Sequence, residues 1–217
     1  MRLTYVTRLV GILCLVASFA SADPVDLSTL LKGVETRYNK AKTLEVSFNE
    51  TYTGIGGPRQ SESGTLTLRK PGRMRWDYTS PAGKLFVSDG KQVFLYNPDL
   101  KRVERMPLKQ SEDMRAPLAF LLGKLDFSKE FRDIRMKPSG PDYLVTAGAK
   151  SPKLPYERIE MLVTPAFTIR KLVVNGQDQS VLTFQFDQEK LNPAVDDARF
   201  QFKVPPGATV VNGESAQ

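Results

Sequence analysis

Thr65-Leu-Thr-Leu-Arg-Lys-Pro-Gly-Arg-Met-Arg-Trp-Asp-Tyr78 is the stretch from which the fold of this 217-residue chain can be read. Leu66 and Leu68 alternate with Thr65 and Thr67. Beyond the interruption at Pro71-Gly72, Met74, Trp76 and Tyr78 alternate with Arg73, Arg75 and Asp77. A repeat of two puts the apolar residues on one side of an extended chain and the polar ones on the other, as in a half-buried strand. The same period runs upstream, where Leu44, Val46, Phe48 and Tyr52 alternate with Glu45, Ser47 and Asn49. Downstream, strands are predicted at 84–88, 92–96, 102–106, 143–147, 158–163, 169–174 and 181–187, with a last piece near 200–204. Turn residues separate them at Gly54–Pro58, Asp89-Gly90, Asn97–Asp99, Pro138–Asp142 and Asn175-Gly176. The two pairs ending in Gly accept the positive φ of tight hairpin turns. Short strands joined by close turns predict one large antiparallel sheet, curled or closed.

Two helices break the pattern. Leu27, Leu30, Leu31, Val34 and Tyr38 recur at helical spacing behind the possible caps Asp26 and Ser28, so a first helix with one apolar stripe is expected. Pro117-Leu-Ala-Phe-Leu-Leu-Gly123 reads as a short second helix after a polar loop. Leu118, Phe120, Leu121 and Leu122 make it apolar around most of its circumference. A helix lying on a sheet needs only one such face, so the surplus predicts a buried plug or a lid over an apolar cavity.

The N-terminus has another character. Arg2 and Arg8 precede the apolar run Leu9–Ala17, and Ala20-Ser-Ala22 supplies small residues for cleavage. Residues 1–22 are therefore expected to be a secretory signal peptide, and 23–217 a single domain. Its removal would leave a chain of net charge +5, against +7 for the whole, and would take away Cys14, the sole cysteine. With 41% apolar and 25% charged residues the composition is that of an ordinary globular protein.

The chain has no His, which excludes Ser-His-Asp and Cys-His catalysis and zinc sites with nitrogen and sulfur ligands. Ser88-Asp-Gly-Lys91 matches S-x-x-K in form, but its Asp-Gly pair sits between two strands, where a helix turn would be needed. Gly54-Ile-Gly56 has Arg59 where a dinucleotide motif needs its third glycine. Arg73 and Arg75 are interleaved with Met74, Trp76 and Tyr78 but point away from them. One groove cannot easily use both sets, so no nucleic-acid partner is expected. No catalytic constellation, metal or cofactor follows from the residues.

The order of these pieces resembles the periplasmic outer-membrane lipoprotein carrier (LolA) family. The resemblance is carried by the first helix, Lys70-Pro-Gly-Arg-Met-Arg-Trp76, Val87-Ser-Asp-Gly-Lys91, Phe94-Leu-Tyr-Asn-Pro98, Pro117-Leu-Ala-Phe-Leu-Leu122 and Phe200-Gln-Phe-Lys-Val-Pro-Pro-Gly207. It implies a mainly β fold with some α: an incomplete, unclosed antiparallel β-barrel of about eleven strands, its concave face covered by helices as a lid. The implied function is periplasmic and non-enzymatic. Acyl chains of lipoproteins would be held in an apolar cavity, taken from an inner-membrane ABC transporter and passed to an outer-membrane receptor, most simply by a monomer. The cavity lining implied on the strands is Val46, Phe48, Leu66, Leu68, Met74, Trp76, Phe94 and Phe184; on the short helix it is Leu118, Phe120 and Leu121. A family latch arginine is replaced here by Lys70, a point charge with three donors that would hold lid carbonyls less firmly than a planar guanidinium. Three other readings stay open on the residues alone: a same-fold lipid or glycolipid carrier or envelope-stress sensor, a hydrolase using Ser88 and Lys91, and a structural envelope protein whose short helix is a plug.

Overall fold

The computed structural model describes residues 25–108 and 125–213. The first element is helix α1 (Leu27–Lys40), opened by Asp26, whose carboxylate accepts the Thr29 backbone N–H at 3.0 Å and its hydroxyl at 2.6 Å. Leu30, Val34 and Tyr38 recur every four residues and form the one buried face of the helix. Arg37 and Lys40 stand in the last turn, where positive charge suits the helix dipole.

Six antiparallel strands follow: β1 (Thr43–Thr53), β2 (Gln60–Arg69), β3 (Arg73–Ser80), β4 (Leu85–Asp89), β5 (Gln92–Asn97) and β6 (Arg102–Pro107). A one-turn helix α2 (Phe127–Glu130) then leads into β7 (Phe131–Ser139), β8 (Asp142–Ala149), β9 (Tyr156–Val163), β10 (Ile169–Gly176) and β11 (Val181–Leu191). A 3-10 turn (Asp197–Phe200) and β12 (Thr209–Asn212) close the described chain. All the strands join in one 12-stranded sheet of order β12-β6-β5-β4-β3-β2-β1-β11-β10-β9-β8-β7. Its end strands β12 and β7 do not pair with each other, so the sheet is not closed. One apolar cluster nevertheless joins Val93 of β5 and Trp76 of β3 to Phe131 of β7 and Val145 of β8, with Leu30, Val34 and Tyr38 of α1 among them. A single face of the sheet therefore curls around a common interior, and α1 lies on that side.

Three expectations need correction. Residues 200–204 alternate like a strand, yet Phe200 ends the 3-10 turn, 201–204 follow it as an extended strap, and the last strand is β12, which pairs in parallel with β6. The Asn175-Gly176 hairpin exists, but both residues still belong to β10. The turn lies beyond them, where Gln179 takes the positive φ of 65° and donates to the Gly176 carbonyl. Strand β7 was not anticipated. Beyond Phe131 its residues are half-buried or exposed, with Arg132, Asp133, Arg135 and Lys137 among them, and a register shift accompanies Asp133 at φ 53°; the shift breaks the alternation of Phe131 with Ile134 and Met136, and both features suit an edge strand.

Candidate functional site: the concave face and helix α1

Strand alternation decides which side chains reach the interior. Val46 and Phe48 of β1, Leu66 and Leu68 of β2, Met74 and Trp76 of β3, and Phe184 of β11 all point there and are essentially inaccessible to water. The register explains the meeting: Leu66 lies opposite both Val46 and Trp76, and Leu68 opposite Leu44 and Met74. At the centre, the Phe48 ring meets Trp76 edge-on at 4.7 Å and Tyr78 at 5.3 Å, while Phe184 lies 5.5 Å from Trp76. Gly64 makes this possible. It stands opposite Phe48 and Tyr78, and a Cβ there would fall 2.1 Å from the Asp77 carbonyl oxygen. The Trp76 indole N–H is buried without a hydrogen-bond partner among the described residues, one spare donor on an otherwise apolar wall.

One expected lining residue is elsewhere. Phe94 lies on the convex face, in register with Val87, and stacks on Phe202 of the C-terminal strap at 4.9 Å. Its neighbours Val93 and Leu95 belong to the interior cluster instead. Because Val93, Phe94, Leu95 and Tyr96 are all apolar, this strand has no alternation to reveal its parity. Leu118, Phe120 and Leu121 lie outside the described residues.

A polar patch closes one end of the apolar wall. Glu50 is in phase with Val46 and Phe48, is buried, and faces Glu62 across the strand pair. Lys84 forms an ion pair with Glu62 and lies 4.6 Å above the Tyr78 ring. The reading from sequence missed this group, although continuing the parity of β1 by one step would have found Glu50.

Lys70, in the turn after β2, reaches the end of α1. Its ammonium donates to the Tyr38 carbonyl in the last turn of α1 at 2.6 Å. Burial pushes the Lys70 pKa down, which makes the charged form costlier here than in water. Arg69 points to the other side, as alternation requires, and donates to the Val195 carbonyl at 2.6 Å.

Helix α1 is fastened on two further sides. A bulge at Gln188, φ 56°, brings Glu189 round to the helix, where its carboxylate accepts from Arg37 at 2.5 Å and from the Tyr38 hydroxyl at 2.7 Å. The same hydroxyl accepts the Ile169 N–H at 3.0 Å; burial, then the Glu189 charge, push its pKa far up, so it stays a phenol. On the other side the Asn39 amide makes two bonds with the Leu125 backbone, at 2.7 and 2.8 Å, and Glu35 accepts the Phe127 N–H at 3.0 Å. Residues 125–127 immediately follow the segment that contains the predicted lid helix. The chain leaving that segment is thus tied to α1.

Ser88 has a different employment from the nucleophile role. It is fully buried, donates to the Gly72 carbonyl at 3.0 Å and accepts the Gly90 N–H at 3.2 Å. These bonds clamp the β2–β3 turn to the β4–β5 turn, and both glycines there need positive φ, 69° and 96°. Among the described residues there is no cluster of His, Cys, Asp and Glu suited to a metal, and no helix long and apolar enough to cross a membrane.

Comparison with known proteins gives a consistent answer. The chain is 31% identical over 208 residues to an outer-membrane lipoprotein carrier protein of Pseudomonas aeruginosa, covering 94% of this chain and 97% of that one. A carrier of the same name from Chromobacterium violaceum is 30% identical over 176 residues, 80% of this chain and 83% of that one. An uncharacterized conserved protein of Thermus thermophilus shares the fold at a TM-score of 0.52 and 13% identity, over 86% of this chain and 98% of that one. The family model for the outer membrane lipoprotein carrier protein LolA matches residues 39–203, and with both relatives aligned along most of their length the chain belongs to the LolA family.

Proposed function

We propose that this protein carries lipoproteins across the periplasm by covering their acyl chains with the concave face of its open sheet. Cargo would be taken from an inner-membrane ABC transporter and handed to an outer-membrane receptor, after export directed by residues 1–22. The observation that carries the reading is the apolar wall around Phe48, Trp76 and Phe184, bordered by a helix that Lys70 holds through a backbone carbonyl. The family's named role supports it: a carrier is not an enzyme.

The physics fits such a task. A buried methylene is worth about 0.8 kcal/mol, so one long acyl chain in water exposes on the order of 10 kcal/mol of unfavourable surface. Contacts from Phe, Leu and Met side chains cover that surface without directional bonds that would have to break at handover. The Lys70 bond alone, worth about 1 kcal/mol net, can be exchanged at modest cost. In this reading Leu118, Phe120 and Leu121 belong to the lid.

Affinity isolation of the protein from the periplasm, with identification of what co-purifies, is the test. Lipoproteins are expected; glycolipids or phospholipids without lipoproteins would replace this reading with that of a general lipid carrier. Leu121→Glu puts a charge on the proposed lid and should lower lipoprotein uptake with little change in unfolding midpoint. Equal loss of both would make Leu121 an ordinary core residue.

A further inference from the structure

Two grooves border α1 on its solvent side and share Lys40, Ala41 and Asn192. One, of about 720 Å³, lies between the outer face of α1 and the β9–β10 turn; the other, of about 760 Å³, lies between the end of α1, the β2–β3 turn and residues 192–195. Together their linings bring in Lys32, Arg37, Lys40, Lys42, Arg69 and Lys70, with no Asp or Glu. Three of these cations are answered by carboxylates outside the lining: Arg37 by Glu189 at 2.5 Å, Arg69 by Asp197 at 2.9 Å and Lys32 by Glu35 at 3.7 Å. Lys40, Lys42 and Lys70 have no ion-pair partner among the described residues. Lys40 and Lys42 are exposed, and Lys70 directs one of its three donors at the Tyr38 carbonyl. Beside these charges Phe167 and Leu191 form a half-buried apolar floor, with the Phe167 ring lying directly over Gly33.

We propose that this continuous groove docks an acidic segment of a partner protein, an extended stretch with several carboxylates and an apolar side chain for the Phe167–Leu191 floor. Charge complementarity favours an anion here. The trough shape favours a peptide over a flat bilayer, which would meet only the outermost groups. A carboxylate reaching Lys70 competes with the Tyr38 carbonyl, so docking also draws the latch off α1. That consequence rests on the carrier reading, whereas the docking does not.

The test uses the folded protein without cargo, so its failure is distinguishable from failure of the carrier reading. The probe is a short fluorescein-labelled peptide of Glu with interspersed Leu, followed by anisotropy, with a Lys-for-Glu version as control. Saturable, salt-sensitive binding of the Glu peptide alone is expected. The double variant Lys40→Glu with Lys42→Glu should weaken it at least about tenfold, and Lys42→Ala about threefold without disturbing the helix. Arg135→Glu with Lys137→Glu on β7 changes net charge equally and should shift affinity less than about twofold. Equal weakening by the two double variants would reduce the effect to overall charge and overturn the proposal. So would absence of saturable binding, or tighter binding to phosphatidylglycerol vesicles through the same lysines.

Discussion

Met74 and Trp76 face Phe48 and Phe184 across an apolar interior, while Arg73 and Arg75, alternating with them on β3, serve the opposite side of the sheet. There Arg69 and Arg73 bind the Asp197 carboxylate at 2.9 and 2.7 Å, Arg75 and Arg199 bind Asp77, and Arg75 donates to the Arg199 carbonyl at 3.1 Å. Phe200 is buried beneath this network, and Phe202 stacks on Phe94. Both faces cover apolar surface, but by different means. The convex face uses charge-assisted hydrogen bonds of fixed direction to hold the chain's own C-terminal strap. The concave face, away from its polar end, packs rings and aliphatic groups against one another by contacts without fixed direction. Directional bonds suit a permanent fit, and non-directional contact would suit the exchangeable cargo proposed above.

Three sites and one pH range test the contrast between the faces and the packing behind it. The largest effect is expected from Phe48→Ala, which removes a fully buried ring at the centre of the concave wall and should cost about 4 kcal/mol in urea unfolding, with loss of acyl-chain binding. A cost below about 1 kcal/mol would mean that this wall is not packed as described. Phe200→Ala, also at a buried ring, should cost about 3 kcal/mol while leaving acyl binding intact. If it abolished binding as well, the two faces would not be separate in function.

Lys70→Leu deletes the bond to the Tyr38 carbonyl and should cost about 1 kcal/mol, with a larger change in how fast cargo exchanges. Lys70→Arg should restore the wild-type exchange rate or slow it further. Unchanged cargo kinetics in Lys70→Leu would show that this bond fastens α1 without gating anything.

The smallest effect concerns pH. Burial, then the charge of Glu130, pushes the Tyr156 phenol up to about 12. The unfolded chain releases that proton near pH 10, so between about 10 and 12 the folded state binds more protons and stability falls as pH rises. The loss of stability should amount to about 1 kcal/mol at pH 11 and be absent at pH 8. Tyr156→Phe should flatten the decline of the urea midpoint over that range, and an unaltered decline would count against the stated burial.

How much of this was legible in the sequence depends on parity. Where apolar and polar residues alternate strictly, as in 65–68 and 74–78, the strand and its inward side chains could be read directly, and the structure brings those residues together. Phe94 was misplaced because its strand is apolar on both sides, one side for the interior and one for the strap. Phe200 and Phe202 mimic a strand because the end of the 3-10 turn and the strap that follows it each put one ring against the sheet. The fastening of α1 was out of reach, since Glu189 gains its direction from a bulge and Asn39 binds backbone groups 86 residues away in sequence. The acceptor of the Lys70 bond, the Tyr38 carbonyl, is likewise a backbone group that no side-chain pattern marks.

Trp76 is the only tryptophan in the chain and stands at the centre of the concave wall, so its emission reports on that wall alone. The most direct test is to load the protein with a lipoprotein whose acyl chains carry bromine, a contact quencher, and compare emission with the same lipoprotein unbrominated. Saturable quenching by the brominated cargo only is expected. Equal emission from the two complexes, with cargo demonstrably bound in both, would contradict the placement of hydrocarbon against this face.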